Sequence, residues 1–462
     1  SSQVFLAGHQ PGLFHPGVWL KNFVLGSAAR RHGAVAVNLL VDTDAVKTTS
    51  LAVPSGPRET PHIVSVPFDR ADPSVPYEEC RVADLEMVCS FGKRAAEVIA
   101  SLVPNPMVKD FWRLACERAK ASGNLGLSLA QARHLVEGDW GLETLELPQS
   151  RVCATESFRW FVAHLLAHLP RFRTDYNETV GQYRRKHGIR SSAHPVPDLV
   201  ERDDWLEAPF WLWTTANPRR RPLFCTNRKG QLVIAGGEGG ETEIVLAPPG
   251  DGAAAVERLA ALEAEGIKIR PRALITTLWA RLALSDLFVH GIGGAKYDEV
   301  TDQLFDRFFG LRPPRLVVVS GTLLLPVPAF HVSAKEEEDL KQRLWQLRHH
   351  PEVFLGNGQT LADSAKGLIA EKRRWIATPQ IPDNARERCR AIRRVNSALQ
   401  PFVAAQRSET SEHLHETERL LEAERLLRWR EFSFCLHPAE SLRRFFDFAL
   451  CNDGAICSNS LE

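Results

Sequence analysis

Residues 3–17 read QVFLAGHQPGLFHPG, and this stretch decides the fold. Its apolar start, up to Gly8, predicts a strand, and the remainder predicts a loop that contains glycine and proline. Residues 18–33 then carry apolar side chains at helical spacing and finish in Arg-Arg-His-Gly, a typical helix end. Residues 34–41 are apolar apart from one asparagine, as expected of a parallel strand covered on both faces. The chain therefore opens with a β-α-β unit whose loop lies where open α/β sheets bind ligands.

A second β-α-β pattern occurs far along the chain. The residues predict in turn a strand, a tight glycine-rich turn, a helix and a buried strand, over residues 286–290, 291–294, 297–309 and 316–320. Two such units favour one doubly wound α/β sheet built from both halves, with the middle of the chain inserted between them. The predicted fold is therefore a Rossmann-like parallel sheet with helical insertions and a C-terminal helical or coiled-coil arm.

Four regions follow from this pattern. They are the first half of the Rossmann-like core with an insertion, a helical and small-strand insertion, the second half of the core, and the helical arm, over residues 1–150, 151–265, 266–330 and 331–462. Residues 176–223, rich in Arg, Trp and Pro, are predicted to form an insertion or a substrate loop. In the arm, Ser333 and Glu336 form a capping box before a charged helix. The prolines of the arm favour a helical hairpin or short coiled coil over one rod, and we expect a homodimer surface there.

Composition excludes several classes of protein. The chain has 462 residues, of which 44% are hydrophobic, enough to bury a large core. Lys and Arg number 57 against 56 Asp and Glu, so no overall field attracts nucleic acid or an anionic membrane. No apolar run is long enough for a membrane span, and residues 1–6 show no secretion signal. Nine cysteines without a C-x-x-C pair predict free thiols, and a cytoplasmic location is expected.

The first loop carries the strongest candidate site. Glycines let the backbone approach a ligand closely, and the helix that follows offers unpaired N–H groups to a phosphate. Two imidazoles, from His9 and His15, would stabilise charge developing on a transferred phosphoryl or adenylyl group. The other binding candidates here are Gly8, Gln10, Gly12, Gly17, Lys21 and Asn22. The alternative is an ordinary β-α turn with histidines that serve packing.

Two carboxylates follow the second predicted strand. Asp42 and Asp44 would hold an amine, a ribose or Mg²⁺, or act as a base, and they complete the predicted catalytic set with the two histidines. The alternative is a turn with a helix cap, for which Asp is equally suited. His187, His194, His349 and His350 lack the spacing of a metal-ligand set, and no protein metal site is predicted.

The second glycine cluster is a further anion-binding candidate. It lacks the dinucleotide fingerprint and the Walker A pattern, but it precedes a helix start. Its candidate residues are His290, Gly291, Gly293, Gly294, Tyr297 and Asp298. Arg270 and Arg272 would bind a carboxylate or phosphate, and Trp211 would stack on a ligand, with loop packing as the alternative. Although some 280 positions apart, the two glycine segments are predicted to meet at one anion pocket.

Three pieces of the chain together resemble the cysteine-adding enzymes of bacillithiol biosynthesis. Residues 8–14, GHQPGLF, followed by Gly17 and Lys21, are similar to the family's opening G-Q-Q-x-G-L-x-x-G-P loop. The Arg-Pro-Arg of residues 270–272 and the segment 286–297 resemble its R-P-x-x-Q-D and Y-V-G-G-P-x-E-x-x-Y motifs. The charged tail that ends at residues 430–432 resembles its coiled-coil arm.

The resemblance implies a nucleotidyltransferase-like core related to class I aminoacyl-tRNA synthetases, with an arm used for dimerisation. It also implies a ligase that joins the carboxyl group of cysteine to the amine of a glucosaminyl malate, that is, a small sugar-derived acceptor. ATP or another nucleotide, with Mg²⁺, are the cofactors compatible with this fold. His9 stands where the family has Gln, and Asp42-Thr43-Asp44 is a reduced form of its G-E-D-H-D. Two alternatives stay open: a nucleotidyltransferase that activates a small phosphorylated metabolite, and an inactive binding or scaffold homologue.

Overall fold

The computed structural model describes residues 3–237, 243–356 and 362–451. Contacts divide the chain into two compact units. The first unit contains Ser1–Val53, Ile63–Pro326 and Arg430–Glu462, and the second contains Pro54–His62 and Val327–Trp429. The three regions predicted before the arm therefore fall in one unit, except for residues 54–62 and 327–330. The predicted arm differs at its end, because the chain returns to the first unit at Arg430.

The strands of the described residues form three sheets. In chain order they are β1 (Val4–His9), β2 (Val35–Leu40), β3 (Ser50–Ser55), β4 (His62–Pro67), β5 (Leu145–Pro148), β6 (Glu201–Arg202), β7 (Trp205–Thr214), β8 (Asn217–Arg228), β9 (Gln231–Gly236), β10 (Ile244–Val245), β11 (Ile267–Pro271), β12 (Leu287–Gly291) and β13 (Leu316–Val319).

Helices cover the sheets of the first unit and make up most of the second. The helices are α1 (Pro16–His32), α2 (Leu85–Ile99), α3 (Val108–Ser122), α4 (Leu125–Asp139), α5 (Gln149–Cys153), α6 (Glu156–Ala167), α7 (Leu169–Lys186), α8 (Gly252–Ala264), α9 (Ala273–Trp279), α10 (Ile292–Leu304), α11 (Ala334–His349), α12 (Asp363–Ala377), α13 (Ala385–Leu399), α14 (Ala404–Leu427) and α15 (Ala439–Cys451). Short π-helical turns extend α9 and α10, over Ala280–Leu284 and Phe305–Phe309. No helix in the described residues combines the length and apolar character that a membrane span requires.

The central sheet is parallel and confirms the predicted α/β class. Among the described strands its order is β13-β12-β1-β2-β5. Strands β2 and β5 therefore lie on one side of β1, and β12 and β13 lie on the other. Helix α1 connects β1 to β2, and α10 connects β12 to β13, which confirms both predicted β-α-β units. The carboxyl ends of β1 and β12 are neighbours, and the order of the strands reverses at this point. In open α/β sheets a crevice for ligands forms there.

The glycine-rich segment after β12 is a helix start rather than the predicted tight turn. Strand β12 ends at Gly291 and α10 begins at Ile292, so Gly293 and Gly294 belong to its first turn. Glycine is unfavourable inside a helix because it loses more backbone entropy on folding than other residues do. This explains why a turn was predicted here. The change places the backbone amides of both glycines at a helix N-terminus.

The predicted loop over residues 176–223 is wrong. Its first part belongs to α7, and its aromatic and arginine-rich parts form the long antiparallel strands β7 and β8. The described strands of this second sheet follow the order β10-β9-β8-β7-β11, with β6 paired to β7. Aromatic side chains suit a half-buried pleated surface, and the arginines occupy the half-exposed part of β8. A large apolar core lies between these strands and helices such as α6, α7 and α8.

One cysteine pair departs from the predicted free thiols. Cys89 on α2 and Cys116 on α3 are joined in a disulfide. The other cysteines whose side chains are described are free thiols, namely Cys80, Cys153, Cys225, Cys389 and Cys435. The prediction was wrong for the pair because the two residues are 27 positions apart and meet only when two helices pack together.

The second unit is mainly helical. Its described helices pack in two pairs, α11 with α14 and α12 with α13. The serine half of the predicted capping box is confirmed, since Ser333 Oγ accepts a hydrogen bond from the Glu336 amide at 3.2 Å. The turn between β3 and β4 also belongs to this unit, and Arg58 lies 4.2 Å from the ring centre of Phe330. A coiled coil and a homodimer stay predictions.

Candidate functional site

A cavity of about 420 Å³ lies at the carboxyl ends of β1, β12 and β13. All its lining residues belong to the first unit. They are Gly8, His9, Gln10, His15, Gly17, Val18, Lys21, Leu39, Val41, Ala273, Thr276, Thr277, Phe288, His290, Gly291, Ile292, Gly293, Gly294, Val319, Ser320, Gly321 and Arg430. The two glycine segments therefore line one cavity, and their predicted meeting is confirmed.

Nine of the predicted site residues lie outside this lining. They are Gly12, Asn22, Asp42, Asp44, Trp211, Arg270, Arg272, Tyr297 and Asp298. Each has protein contacts that account for its position, and the most informative are described below. The cavity therefore combines only part of the predicted set.

Lys21 is the central cation of the cavity. Its side chain is 5% exposed, and its Nζ donates a 2.8 Å hydrogen bond to the carbonyl of Gly8. A Cβ on Gly291 would lie 3.9 Å from Lys21 Cδ, so the lysine stem lies between the two glycine segments. Burial lowers the pKa of Lys21 to about 8. No carboxylate of the described residues forms an ion pair with it, so the cavity holds a largely uncompensated ammonium group at neutral pH.

His15 caps the helix that carries Lys21. Its Nδ1 accepts a 3.2 Å hydrogen bond from the Gly17 amide, so the ring proton resides on Nε2, which lies 3.4 Å from Glu431. Burial lowers the pKa of His15, and the neighbouring Glu431 opposes that change. A methyl group at Gly17 would overlap the carbonyl oxygen of Gly321, so this close contact requires glycine. The predicted second imidazole thus lines the cavity, and one of its nitrogens is committed to the helix cap.

His9 is more deeply buried than its predicted catalytic role requires. Its side chain is 4% exposed, with Nε2 3.1 Å from Asn22 Oδ1 and Nδ1 3.0 Å from the Gln10 carbonyl. Asn22 is oriented by Glu137, which accepts its amide hydrogen at 2.7 Å. Burial, followed by the charges of Arg133 and Lys21, lowers the pKa of His9 well below its usual value. A neutral imidazole has a single N–H and donates to only one of these two oxygens, so one hydrogen bond and close packing fix His9 in the cavity wall.

The start of α10 forms the opposite wall. Gly291 is the N-cap residue, and no side chain caps the helix. His290 Nδ1 accepts a 3.1 Å hydrogen bond from the Gly291 amide, which leaves the ring proton on Nε2, 3.7 Å from Asp298 Oδ2. Burial, aided by Lys21 and Arg281, lowers the pKa of His290 to about 3, so the ring is neutral. The first amides of α10, the Lys21 ammonium and the Arg430 guanidinium thus contribute positive electrostatic potential to the cavity.

The side chains of Asp298 and Tyr297 do not line the cavity. Asp298 is buried beside Arg281, with 3.6 Å between Oδ2 and the guanidinium, and burial raises the pKa of its carboxyl to about 7. The Tyr297 ring packs against the ring of His194, with 5.6 Å between centres. Asp298 therefore contacts the cavity only through His290.

The two predicted catalytic carboxylates are bound to other partners. Asp42 accepts hydrogen bonds from the amide and hydroxyl of Ser150 and lines a separate cavity of about 240 Å³. Burial raises the pKa of Asp42 to about 6. Asp44 forms a 2.7 Å ion pair with Arg220 and accepts a hydrogen bond from Gln10. Burial favours protonation of Asp44, but Arg220 and Lys47 outweigh it and lower the pKa.

The predicted arginine and tryptophan sites are internal contacts. Arg270 is 1% exposed, and its guanidinium is 2.9 Å from both Glu78 and Glu263. Arg272 lies 2.6 Å from Glu207 and 4.3 Å from the ring centre of Trp211. These side chains are therefore occupied by contacts within the protein. Arg270 lies on β11, which pairs with β7 rather than with the parallel sheet.

Several lining residues were not predicted. Thr276 and Thr277 come from α9, Ser320 follows β13, and Arg430 begins the last segment of the first unit. Arg430 was seen in the sequence only as part of the charged tail. None of these residues belongs to a local motif, so no sequence signal pointed to them.

Neither a protein-family model nor a curated protein sequence matches this chain.

Proposed function

We propose that this protein is an enzyme that binds a phosphate-bearing small molecule in the cavity at the β1–β12 edge and uses it to join an amino acid to an amine. By resemblance, the amino acid is cysteine and the amine belongs to a small sugar-derived acceptor. The observation that carries the proposal is Lys21, a buried ammonium group without a carboxylate partner among the described residues, facing an uncapped helix start. Such a group is costly to bury unless an anion compensates it.

The position of the cavity supports a nucleotide-like ligand. When the five parallel strands are numbered by their order in the sequence, their order across the sheet is 3-2-1-4-5. Doubly wound sheets with this order bind nucleotides at the reversal point, next to a helix N-terminus. The cavity lining also offers apolar surface from Leu39, Val41 and Phe288, which suits the less polar part of such a ligand. This fold-level support is an analogy.

The residues of the chain allow definite roles. Lys21 and the first amides of α10 would bind the phosphate oxygens and stabilise charge that develops on them. His15 would keep the α1 start rigid, and the neutral rings of His9 and His290 would shape the walls. ATP supplies an activated phosphate when bound, and the amine and the amino acid would reach it through the open side of the cavity.

An Mg²⁺ site in the cavity has no support. The ion prefers oxygen ligands, usually with one or two carboxylates, and no described residue that lines the cavity is an Asp or Glu. Asp42 and Asp44, the predicted carboxylates, are bound to Ser150 and Arg220. We therefore derive no step through Mg²⁺.

One observation favours a second candidate, a binding protein without turnover. Both ring nitrogens of His9 lie against protein oxygens, and both predicted carboxylates lie outside the cavity. A catalytic base is therefore not evident among the described lining residues. Retained ligand affinity without product would favour this candidate, and pyrophosphate release without amide formation would favour a nucleotidyltransferase.

The test compares two lysine substitutions. Lys21→Met removes one of the two cationic side chains that line the cavity, the other being Arg430, whereas Lys93→Met removes a lysine whose side chain is 80% exposed. We expect calorimetry with ATP to show about tenfold to hundredfold weaker binding for Lys21→Met and unchanged binding for Lys93→Met. Mass spectrometry of ATP, cysteine and glucosaminyl malate incubated with the protein then tests for an amide product. Equal ATP affinity in both variants would refute the proposed site, and product formation abolished by Lys21→Met alone would support the ligase.

A further inference from the structure

A second polar cluster lies behind the wall of the cavity, and the proposed function does not use it. His134 and Glu137 are three residues apart on α4, so both side chains lie on one face of that helix. Glu146 lies on β5, facing them. One ligand atom from each of these three side chains can be chosen so that all lie within 4.8 Å of one another.

In both carboxylates, the Oε1 oxygen accepts hydrogen bonds from protein groups. Glu137 Oε1 accepts hydrogen bonds from Trp19 and Asn22, at 2.6 and 2.7 Å. Glu146 Oε1 likewise accepts from Arg133 and Asn38, at 2.6 and 3.1 Å. Glu137 Oε2 is fully buried and has no hydrogen-bond partner in the described residues; it lies 3.6 Å from His134 Nδ1, which has none either. One oxygen of Glu137 thus serves the protein network, and the other has only the His134 ring nitrogen within ion-pair distance.

An independent observation comes from Asn38 on the neighbouring strand β2. It is directly opposite Glu146 in the parallel pairing, and its side chain is completely buried. Its Nδ2 contacts Glu146, but its Oδ1 has no hydrogen-bond partner in the described part of the chain. Buried acceptors of this kind are rare in proteins and usually mark an ordered water or an ion. Asn38 thus contacts Glu146, one of the three cluster side chains, and carries a buried oxygen without a partner among the described residues.

The charge of the cluster suits a cation. Two carboxylates face one guanidinium, because Arg133 approaches Glu146 at 2.6 Å and Glu137 at 3.5 Å, in both cases at Oε1. The Oε2 side of Glu137 faces His134 instead. Two ionised carboxylates and one guanidinium leave one negative charge, which a cation bound beside His134 would balance. The side chain of His134 is 40% exposed and gives an ion a route from solvent.

We propose that His134 Nδ1, Glu137 Oε2 and a carboxylate oxygen of Glu146 bind one divalent transition-metal ion of the Zn²⁺ type. An imidazole nitrogen with two carboxylate oxygens is a donor set that suits Zn²⁺ better than Ca²⁺ or Mg²⁺. Three protein ligands leave one position of a tetrahedral ion to water, and the role of the ion here would be to hold the three side chains in place. Since Glu137 Oε1 holds Asn22, and Asn22 contacts His9, it would fix the wall of the cavity. This inference does not depend on what the cavity binds.

The experiment uses the full chain, stripped of metal with EDTA and then titrated with Zn²⁺ in a calorimeter. The variants are His134→Ala and Glu146→Gln, and the matched control is His413→Ala, which removes a histidine with a 56% exposed side chain. Elemental analysis after gel filtration counts the bound metal. Because free cysteines also bind zinc, a Co²⁺ derivative is examined for the charge-transfer absorption that thiolate ligands produce.

We expect one equivalent of Zn²⁺ in the wild type and in His413→Ala, and at least tenfold weaker binding in the other two variants. We also expect Zn²⁺ to raise the melting temperature of the wild type but not of His134→Ala. Because His134 is partly exposed, its removal leaves the core packing in place and keeps the test valid. The proposal is overturned if no metal binds stoichiometrically, if His134→Ala and Glu146→Gln bind as the wild type does, or if Co²⁺ shows thiolate ligation.

Discussion

Lys21 shows how a single buried charge can mark a site. Its stem is covered by the two glycine segments, and its ammonium group has the Gly8 carbonyl as partner. A lysine on the outside of a helix would keep a pKa above 10, whereas burial lowers that of Lys21 to about 8. Its charge is therefore present at neutral pH and is lost in mildly alkaline solution.

This gives a prediction for anion binding. Sulfate keeps its charge across this pH range, so any change in its binding reports on the protein. Below pH 8 Lys21 is protonated and attracts sulfate; above about pH 8 it becomes neutral and the attraction is lost. We expect the rise in melting temperature caused by sulfate to be larger at pH 7 than at pH 9.5. Lys21→Met measures the general salt effect, and an equal pH dependence in that variant would contradict the assignment.

Asp42 provides a prediction about stability. Its pKa is about 6 in the folded protein because it is buried, against about 4 in an unfolded chain. The folded state therefore holds the proton more tightly, and the stability contributed by Asp42 falls as the pH rises from about 4 to 6. Asp42→Asn removes this dependence.

We expect the stability of Asp42→Asn, relative to wild type, to increase by about 1–3 kcal/mol between pH 4.5 and pH 7.5. Denaturant unfolding at the two pH values measures it. A constant difference between the two proteins would show that the carboxyl has an ordinary pKa.

At the scale of elements, the first turn of α10 contains two adjacent glycines with different surroundings. A methyl group at Gly294 would overlap the ring of His290, whereas nothing in the described structure lies within 4 Å of the Cβ position at Gly293. Both residues have helical backbone, so neither needs glycine for its conformation. The requirement at Gly294 is therefore one of space, created by the histidine at the end of β12.

The pair gives a matched test. We expect Gly293→Ala to be neutral or to stabilise the protein by up to about 1 kcal/mol, since alanine favours helix. Gly294→Ala should destabilise it by roughly 1–3 kcal/mol, because the His290 ring must leave its position. Thermal unfolding of the two variants measures the difference. Equal effects would indicate that His290 does not pack on α10.

At the scale of the whole molecule, the first unit joins segments from both ends of the described chain. Helix α15 packs on α1, where Phe446 stacks on Phe23 with 4.0 Å between ring centres. Trp19 and Trp140 contribute to the same aromatic cluster. The C-terminal segment therefore completes the core beside the helix that carries Lys21.

A pair of phenylalanines in α15 tests this closure. Phe446 is 1% exposed, whereas Phe448 is 70% exposed. We expect Phe446→Ala to lower the free energy of unfolding by about 3–5 kcal/mol, because it leaves a cavity in the aromatic cluster. Phe448→Ala should change it by less than about 0.5 kcal/mol. Chemical denaturation followed by tryptophan fluorescence measures both, and similar losses would mean that α15 does not close this core.

Local patterns in the sequence determined the β-α-β units, the helix that Ser333 caps and the loop that leads into α1. These features depend on hydrophobic periodicity and on capping residues that are close together in the chain, so a short stretch contains the information. The strands β7 and β8 escaped prediction because their arginines are tolerated only at a half-exposed position of a sheet that assembles from distant segments.

In the candidate site, too, some features were predictable from the sequence and others only from the structure. Gly8, Lys21 and the glycines after β12 were recognisable from their own surroundings in the sequence. Tertiary structure alone decided that they share a cavity, that Arg270 is neutralised by Glu78 from 192 positions away, and that Asp42 faces another cavity. The physical reason is that charge compensation and burial depend on neighbours in space, and a one-dimensional pattern does not specify these neighbours.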